Sequence, residues 1–393
     1  MARPIPAFAL ALLLLLSGFS VAGAAPHAEA QQRAQNVTAE GISANTTDVL
    51  VLDRIQASGF ASADLVVTRA LSTQAHALRG RLARYTVQRR YQEAPTADAK
   101  RRVLRNATER VAATAARLIV RERGARSDYI AGRLSAKTYL EVLGQVDLRA
   151  RQLLSTLSTI EQLASRGSAV ARRVGSIRAD LQGLQGPIRN RLAASVHGEG
   201  TSVRTFVAVS ENGVVLAQLR DGSFAREAYR ADHRDTLVGS PNLGTAQARL
   251  AEIYPWAWNT SGGVRINSIG LDVLEFEKTF GHGSLTGLLD TSSGLIYREY
   301  QIKTLAALPS ATAATTTVNN TTLSVSRTYA GGPIRVQVTN ATGAPRAARV
   351  VINGTLVGAT GGDGVVWGIS PHGSFNVTAT RGALELRLRV STD

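Results

Sequence analysis

Nine of the thirteen asparagines stand in Asn-x-Ser/Thr triplets: Asn36, Asn45, Asn106, Asn259, Asn319, Asn320, Asn340, Asn353 and Asn376. An asparagine amide followed two residues on by a hydroxyl is the acceptor for N-linked glycan transfer, a modification of exported chains. Their density marks an N-glycosylated exterior, although Thr-rich composition alone accounts for Asn319 and Asn320. Other chemistries find little support. The chain has no cysteine, which removes disulfides and thiolate metal sites. His233 lies between Asp232 and Asp235, but no second histidine stands at ligand spacing, so no metal site is expected. HExxH, GxSxG and P-loop motifs are missing, so no catalytic residue and no cofactor are assigned and a non-enzyme is expected. A glycan hydrolase with dispersed carboxylates is the one enzymatic alternative, because such pairs leave no local signature.

Trp256 and Trp258 sit one residue apart in Tyr254-Pro255-Trp256-Ala257-Trp258, in a chain with only 5% aromatic residues. They suit a partner contact or sugar platform, and equally a helix end packed on a sheet. Net charge is +16, and residues 48–197 carry 26 Lys and Arg against 12 Asp and Glu. Such a balance suits an anionic envelope polymer or glycan, or another surface protein, and equally a solvated helical face. No aromatic ladder accompanies it, so specific nucleic-acid recognition is not expected.

The elements that position these residues fall into six segments. Residues 1–25 have the layout of a secretory signal peptide: Arg3, an apolar run over 7–16, then Ala22-Gly23-Ala24-Ala25. That run is too short for a comfortable membrane span, so membrane contact is expected only through this segment if it stays uncleaved. Residues 26–47 read as a flexible polar lead. Residues 48–197 read as an α-helical bundle or coiled coil, organised around Tyr139, Leu143, Val146, Ala150, Leu153, Leu157 and Ile160, spaced by fours and threes. Ser135 caps that helix and Gly167 ends it. Partner seams run through Leu71, Ala75, Leu78, Leu82 and Tyr85, and through Leu104, Ala107, Val111, Thr114 and Leu118, the latter helix ending near Gly124. A weaker helix over 170–194 is interrupted by Gly183, Gly186 and Pro187.

Residues 201–305 read as an α+β domain with a meandering antiparallel sheet, its turns marked by Asn212-Gly213, Asp221-Gly222 and Thr291–Gly294. The Ala/Thr-rich stretch 306–322 reads as a linker. Residues 323–393 read as a β-sandwich of short strands separated by Gly331-Gly332-Pro333, Asn353-Gly354 and Gly361–Gly364. Glycosylation without cysteine points to a secreted archaeal cell-surface protein.

Three resemblances accompany this reading. Gly132-Arg133-Leu134-Ser135-Ala136 with Val146-Asp147-Leu148-Arg149-Ala150-Arg151 resembles a recurring element of secreted haloarchaeal proteins of unknown function, though those are usually acidic. Asp290, Thr291 and Gly294 resemble the turn of PepSY-type modules, which implies inhibition or binding, and hence an envelope protease-inhibitor or chaperone-like factor as the alternative function. Gly343-Ala344-Pro345 and Ala348–Gly354 resemble transthyretin-like and immunoglobulin-like domains, which implies a spacer or adhesive module.

Overall fold

The computed structural model describes residues 50–63, 67–235, 242–270 and 272–391. The signal and lead segments, with Asn36 and Asn45, lie outside the described residues, as do the side chains of Leu71 and Ala75.

Five helices follow one another: α1 (Val67–Glu93), α2 (Ala97–Ile130), α3 (Ala136–Leu163), α4 (Ala169–Gly183) and α5 (Pro187–His197). Hydroxyls set three of the starts. Thr96, Ser135 and Ser168 accept from the backbone N–H of Ala99, Thr138 and Ala171, and each cap contributes about 1 kcal/mol. The α3 seam is buried from Tyr139 to Ile160. On α2 the buried face takes Leu104, Ala107, Val111, Ala115 and Leu118, while Thr114 is only half-buried. This helix runs through Gly124 to Ile130 because Glu122 and Arg126, one turn apart, form a buried ion pair inside it. Across the crossing of α3 and α5, a Cβ on Gly144 would stand 2.8 Å from the Ala193 backbone nitrogen. Glycine is what lets these two backbones touch.

On α1 the expected seam is reversed. Leu78, Leu82 and Tyr85 are 53%, 55% and 69% exposed, and the helix rests on Gly80 and Val87 from its opposite side. Leu78, Leu82 and Tyr85 do share one face, but a second face with less bulk meets the core.

Among the described residues before α1, Ala57–Ser62 is strand rather than helix. β1 (Ala57–Ser62) joins the edge of an eight-stranded antiparallel sheet in the order β1-β2-β3-β4-β8-β7-β6-β5. Its other strands are β2 (Arg204–Val209), β3 (Gly213–Arg220), β4 (Ser223–Arg230), β5 (Val264–Ile269), β6 (Val273–Phe280), β7 (Gly283–Asp290) and β8 (Ile296–Thr304). Asp221 and Gly222 both have positive φ, the two-residue turn that matches strand twist. The helices therefore lie as a layer on this sheet, burying Leu140, Leu143, Ile188 and Leu192 against Val207, Val214 and Leu216. They also share a core of their own around Leu104, Val111, Leu157 and Leu181. The other face of the sheet carries α6 (Leu243–Ile253) and α7 (Pro255–Trp258), and Leu250 of α6 with Tyr254 between the two helices joins a core with Leu274, Phe276 and Leu285.

The C-terminal sandwich packs β14-β11-β10-β9 against β13-β12-β15-β16 around Leu323, Val336, Val350, Phe375 and Leu386. Its strands are β9 (Ala311–Val318), β10 (Thr321–Arg327), β11 (Pro333–Asn340), β12 (Arg349–Ile352), β13 (Thr355–Ala359), β14 (Val365–Ile369), β15 (Phe375–Arg381) and β16 (Leu384–Val390). The stretch expected to be a linker is thus mostly strand. Asn319 and Asn320 take positive φ and close a tight turn between Val318 and Thr321, so the Thr-rich segment pairs with β10. No spacer separates this sandwich from the body: Ile369 is buried with Ala217, Phe224, Leu305 and Leu308.

Candidate functional site

Among the described residues seven acceptor asparagines are placed, and none is buried. Five belong to the sandwich. Asn319, Asn320 and Asn353 occupy positive-φ turn positions. The Asn340 side chain accepts from the N–H of Thr342 and Ala344 and from the Thr342 hydroxyl, an Asx turn that leaves its amide nitrogen outside the bond. Asn353 and Asn376 are neighbours, the first accepting the backbone N–H of the second. Asn106 differs: it is exposed in the middle of α2, but its partner Thr108 is 1% exposed and donates to the Leu104 carbonyl.

The two tryptophans are not a surface platform. Trp256 is 7% exposed and stands edge-on to Phe280 at 5.1 Å and to Tyr254 at 6.1 Å. Trp258 is half-buried against Phe276 at 6.2 Å. Packing of a helix end on the sheet, with Asn259 exposed just beyond it, accounts for both. His233 is engaged through Nδ1 with the Ile296 carbonyl at 2.7 Å, and Asp232 binds Arg230.

Most arginines of the helices are exposed, but a separate set of charged groups is buried at the helix–sheet junction. Arg189 of α5 meets Glu227 of β4 at 2.8 Å with both side chains 1% exposed. Glu227 also accepts the Ile188 N–H, closing the start of α5, while Asp147 accepts that of Gly186. Burial pushes the Glu227 carboxyl up, opposed by Arg189. Beside it Tyr139 is held well above its ordinary value by burial, with the Glu122 charge adding to the effect, and burial raises Tyr229 to about 12. On the other face of β4, Arg226 pairs with Glu299 at 3.0 Å and donates to the Leu50 carbonyl. Further along, Arg234 gathers Asp180, Asp272 and Asp290. Burial works to lower its pKa, but the bonds from Asp290 and Asp272 outweigh it and leave it raised. Burial raises Asp180, partly offset by Arg234 and reinforced by Asp272. Asp290 also accepts the N–H of Ser292 and Ser293, so internal bonds hold the Asp290–Gly294 turn. Arg189, Arg226 and Arg234 thus each meet a carboxylate within the fold.

An open cleft of about 590 Å³ lies between β1–β2 and the sandwich. Phe60 and Phe206 form one wall, with ring centres 5.1 Å apart, and Trp367 belongs to the other. The Arg204 guanidinium lies 4.5 Å over the Phe60 ring and donates to the Leu356 carbonyl across the gap. Asn353, Ser370 and His372 supply polar rim groups, and no carboxylate is among the described residues that line the space. Aromatic walls with a cation and a few hydrogen-bonding groups suit a saccharide or a short polar polymer. Sequence reading missed this site because its walls come from residues about 150 positions or more apart, and the singled-out aromatics were others. Only the isolated Trp367 near Asn353 gave a local hint.

The class of protein follows from these layers: an α+β body of helices on an antiparallel sheet, with an immunoglobulin-like sandwich docked on it. Residues 205–309 match a family of unknown function (DUF7094), and residues 312–387 match an archaeal fibronectin-III type-like domain. Residues 1–201, just over half of the chain, match the domain of unknown function DUF7096, and the chain belongs to that family. No curated protein matches it.

Proposed function

We propose that this is a secreted, N-glycosylated cell-surface protein that binds a glycan or anionic envelope polymer, with the cleft around Phe60, Arg204 and Trp367 as its ligand site. The observation that carries the surface reading is the placement of the acceptors: all seven described sequon asparagines are exposed or half-exposed, five of them on the sandwich farthest along the chain. An archaeal fibronectin-III type-like domain in that position supports a surface module. The reading contains no catalytic step. Hydrolysis of a glycosidic bond asks for two carboxylates about 5 to 10 Å apart, and none is among the described residues lining the cleft. The inhibitor or chaperone-like alternative rests on the Asp290–Gly294 turn, which internal bonds account for.

Peptide mapping by mass spectrometry of the mature protein from its native host tests the surface reading. The expected result is a chain starting after the signal segment, with glycan on several sandwich asparagines. A mature chain that keeps Met1 and has all nine acceptors bare overturns it.

A further inference from the structure

Helix α1 has two apolar faces on opposite sides. One carries Gly80, Val87 and Tyr91 toward α2 and α3. The other carries Leu78, Leu82 and Tyr85, at spacings of four and three, all more than half exposed. Single exposed leucines need no explanation, but three large apolar side chains in one line do. Between the two faces the helix is cationic: its sequence has six arginines, Arg69, Arg79, Arg81, Arg84, Arg89 and Arg90, against one carboxylate, Glu93. Arg81, Arg89 and Arg90 are exposed, and Arg84 is half-exposed. Beside the helix a groove of about 290 Å³ has Val87, Ala107 and Leu153 among its lining and Arg90, Arg110 and Arg149 as its charged groups, again with no carboxylate.

We propose that α1 is a membrane-surface helix that lies on anionic lipid, with Leu78, Leu82 and Tyr85 at the headgroup boundary and the flanking arginines on the phosphates. Charge complementarity selects this occupant. A second copy would bring two strongly cationic helices together, and like charges at close range oppose that contact. An acidic polysaccharide would satisfy the arginines and leave the leucines in water. The stripe stands on a convex helix, which a fluid lipid surface can accommodate without a shaped counterpart. No helix of the described residues is long and apolar enough to cross a membrane, so the contact is peripheral. Arginine stems reach along such an interface while their heads stay on the phosphates.

The test is flotation of the purified full chain with vesicles of phosphatidylglycerol, of phosphatidylcholine, and of the two mixed. The chain should float with phosphatidylglycerol vesicles, remain behind with phosphatidylcholine, and detach as salt rises. Leu82→Glu should weaken binding by tenfold or more with an unchanged far-ultraviolet spectrum and thermal midpoint, because Leu82 is exposed in the fold. Arg81→Gln with Arg84→Gln should weaken binding mainly at low salt. Failure to float with phosphatidylglycerol vesicles, or equal flotation of the Leu82→Glu chain, overturns the proposal. So does a concentration-dependent dimer that Leu82→Glu abolishes in the absence of any vesicle binding.

Discussion

Glu227 and Arg189 meet at 2.8 Å between the middle strand of the sheet and the start of α5, with both side chains almost fully buried. A Cβ on Gly186 would collide with that carboxylate, so a side chain before the helix would push Glu227 away from its partner. Removing one partner of such a pair leaves an uncompensated buried charge. Glu227→Ala should therefore cost about 3–5 kcal/mol, whereas replacing both by apolar residues, Arg189→Met with Glu227→Leu, should cost clearly less. Denaturant titration of the three chains decides it. A single variant no worse than the double would show that the pair does not hold the junction.

Leu153 is 7% exposed on the buried α3 seam, and Leu153→Ala should destabilise by about 2–5 kcal/mol. The neighbouring Arg151 is no spectator. Its Nε lies 2.7 Å from Asp147, which is fully buried and otherwise held by the Gly186 N–H. Arg151→Gln should thus cost about 1–3 kcal/mol, while Arg105→Gln, on an exposed position of α2, should stay within about 0.5 kcal/mol. Urea midpoints that rank Arg151→Gln with Arg105→Gln would refute the Asp147 contact.

Glycan occupancy should divide the acceptors by local geometry. Asn340 and Asn353 lie in turns with reachable amides, and both should be occupied. Asn106 should be bare or nearly so in protein modified after folding, because Thr108 is buried and its hydroxyl is spent on the Leu104 carbonyl. Site-by-site glycopeptide ratios read this directly, and full occupancy at Asn106 would place modification ahead of α2 folding.

Asp180 gives a pH signature. Its carboxyl is raised from an ordinary 3.8, mainly by burial, so the fold favours its protonated form. The stability it contributes is present below the ordinary value and lost as pH rises through the raised one. Asp180→Asn should accordingly raise the thermal midpoint more at about pH 7.5 than at about pH 4. Arg234 keeps Asp272 and Asp290 in the variant. Equal shifts at both pH values would count against the assignment.

Most of the regular elements were legible because local rules fixed them. The α3 seam, its Ser135 cap, the Asp221-Gly222 turn and the strands 365–369 and 384–390 each follow from spacing or turn chemistry within a few residues. What was missed depends on distant partners. β1 has no turn to announce it and exists because β2, about 150 positions later, pairs with it. Asn319-Asn320 looked like low complexity, yet both residues tolerate positive φ and the flanking threonines suit a strand. Leu78, Leu82 and Tyr85 share a face as expected, but periodicity does not tell a face toward the core from one toward something else. The cleft was invisible for the same reason as β1, and Trp256 was singled out for its density when its burial depends on Phe280.

Because β1 precedes all five helices and still hydrogen-bonds to β2, the segment matching one family completes the sheet of the next. β4 is sealed from both sides, Glu227 by Arg189 and Arg226 by Glu299 and Leu50. The border between the two matched segments, at residues 201–205, thus separates lengths of text and not bodies of matter. A fragment begun at residue 205 would carry Glu227 without its counter-ion and an unpaired sheet edge, prone to join with other copies. Each stretch should therefore fold only in the company of the other, as a single cooperative unit.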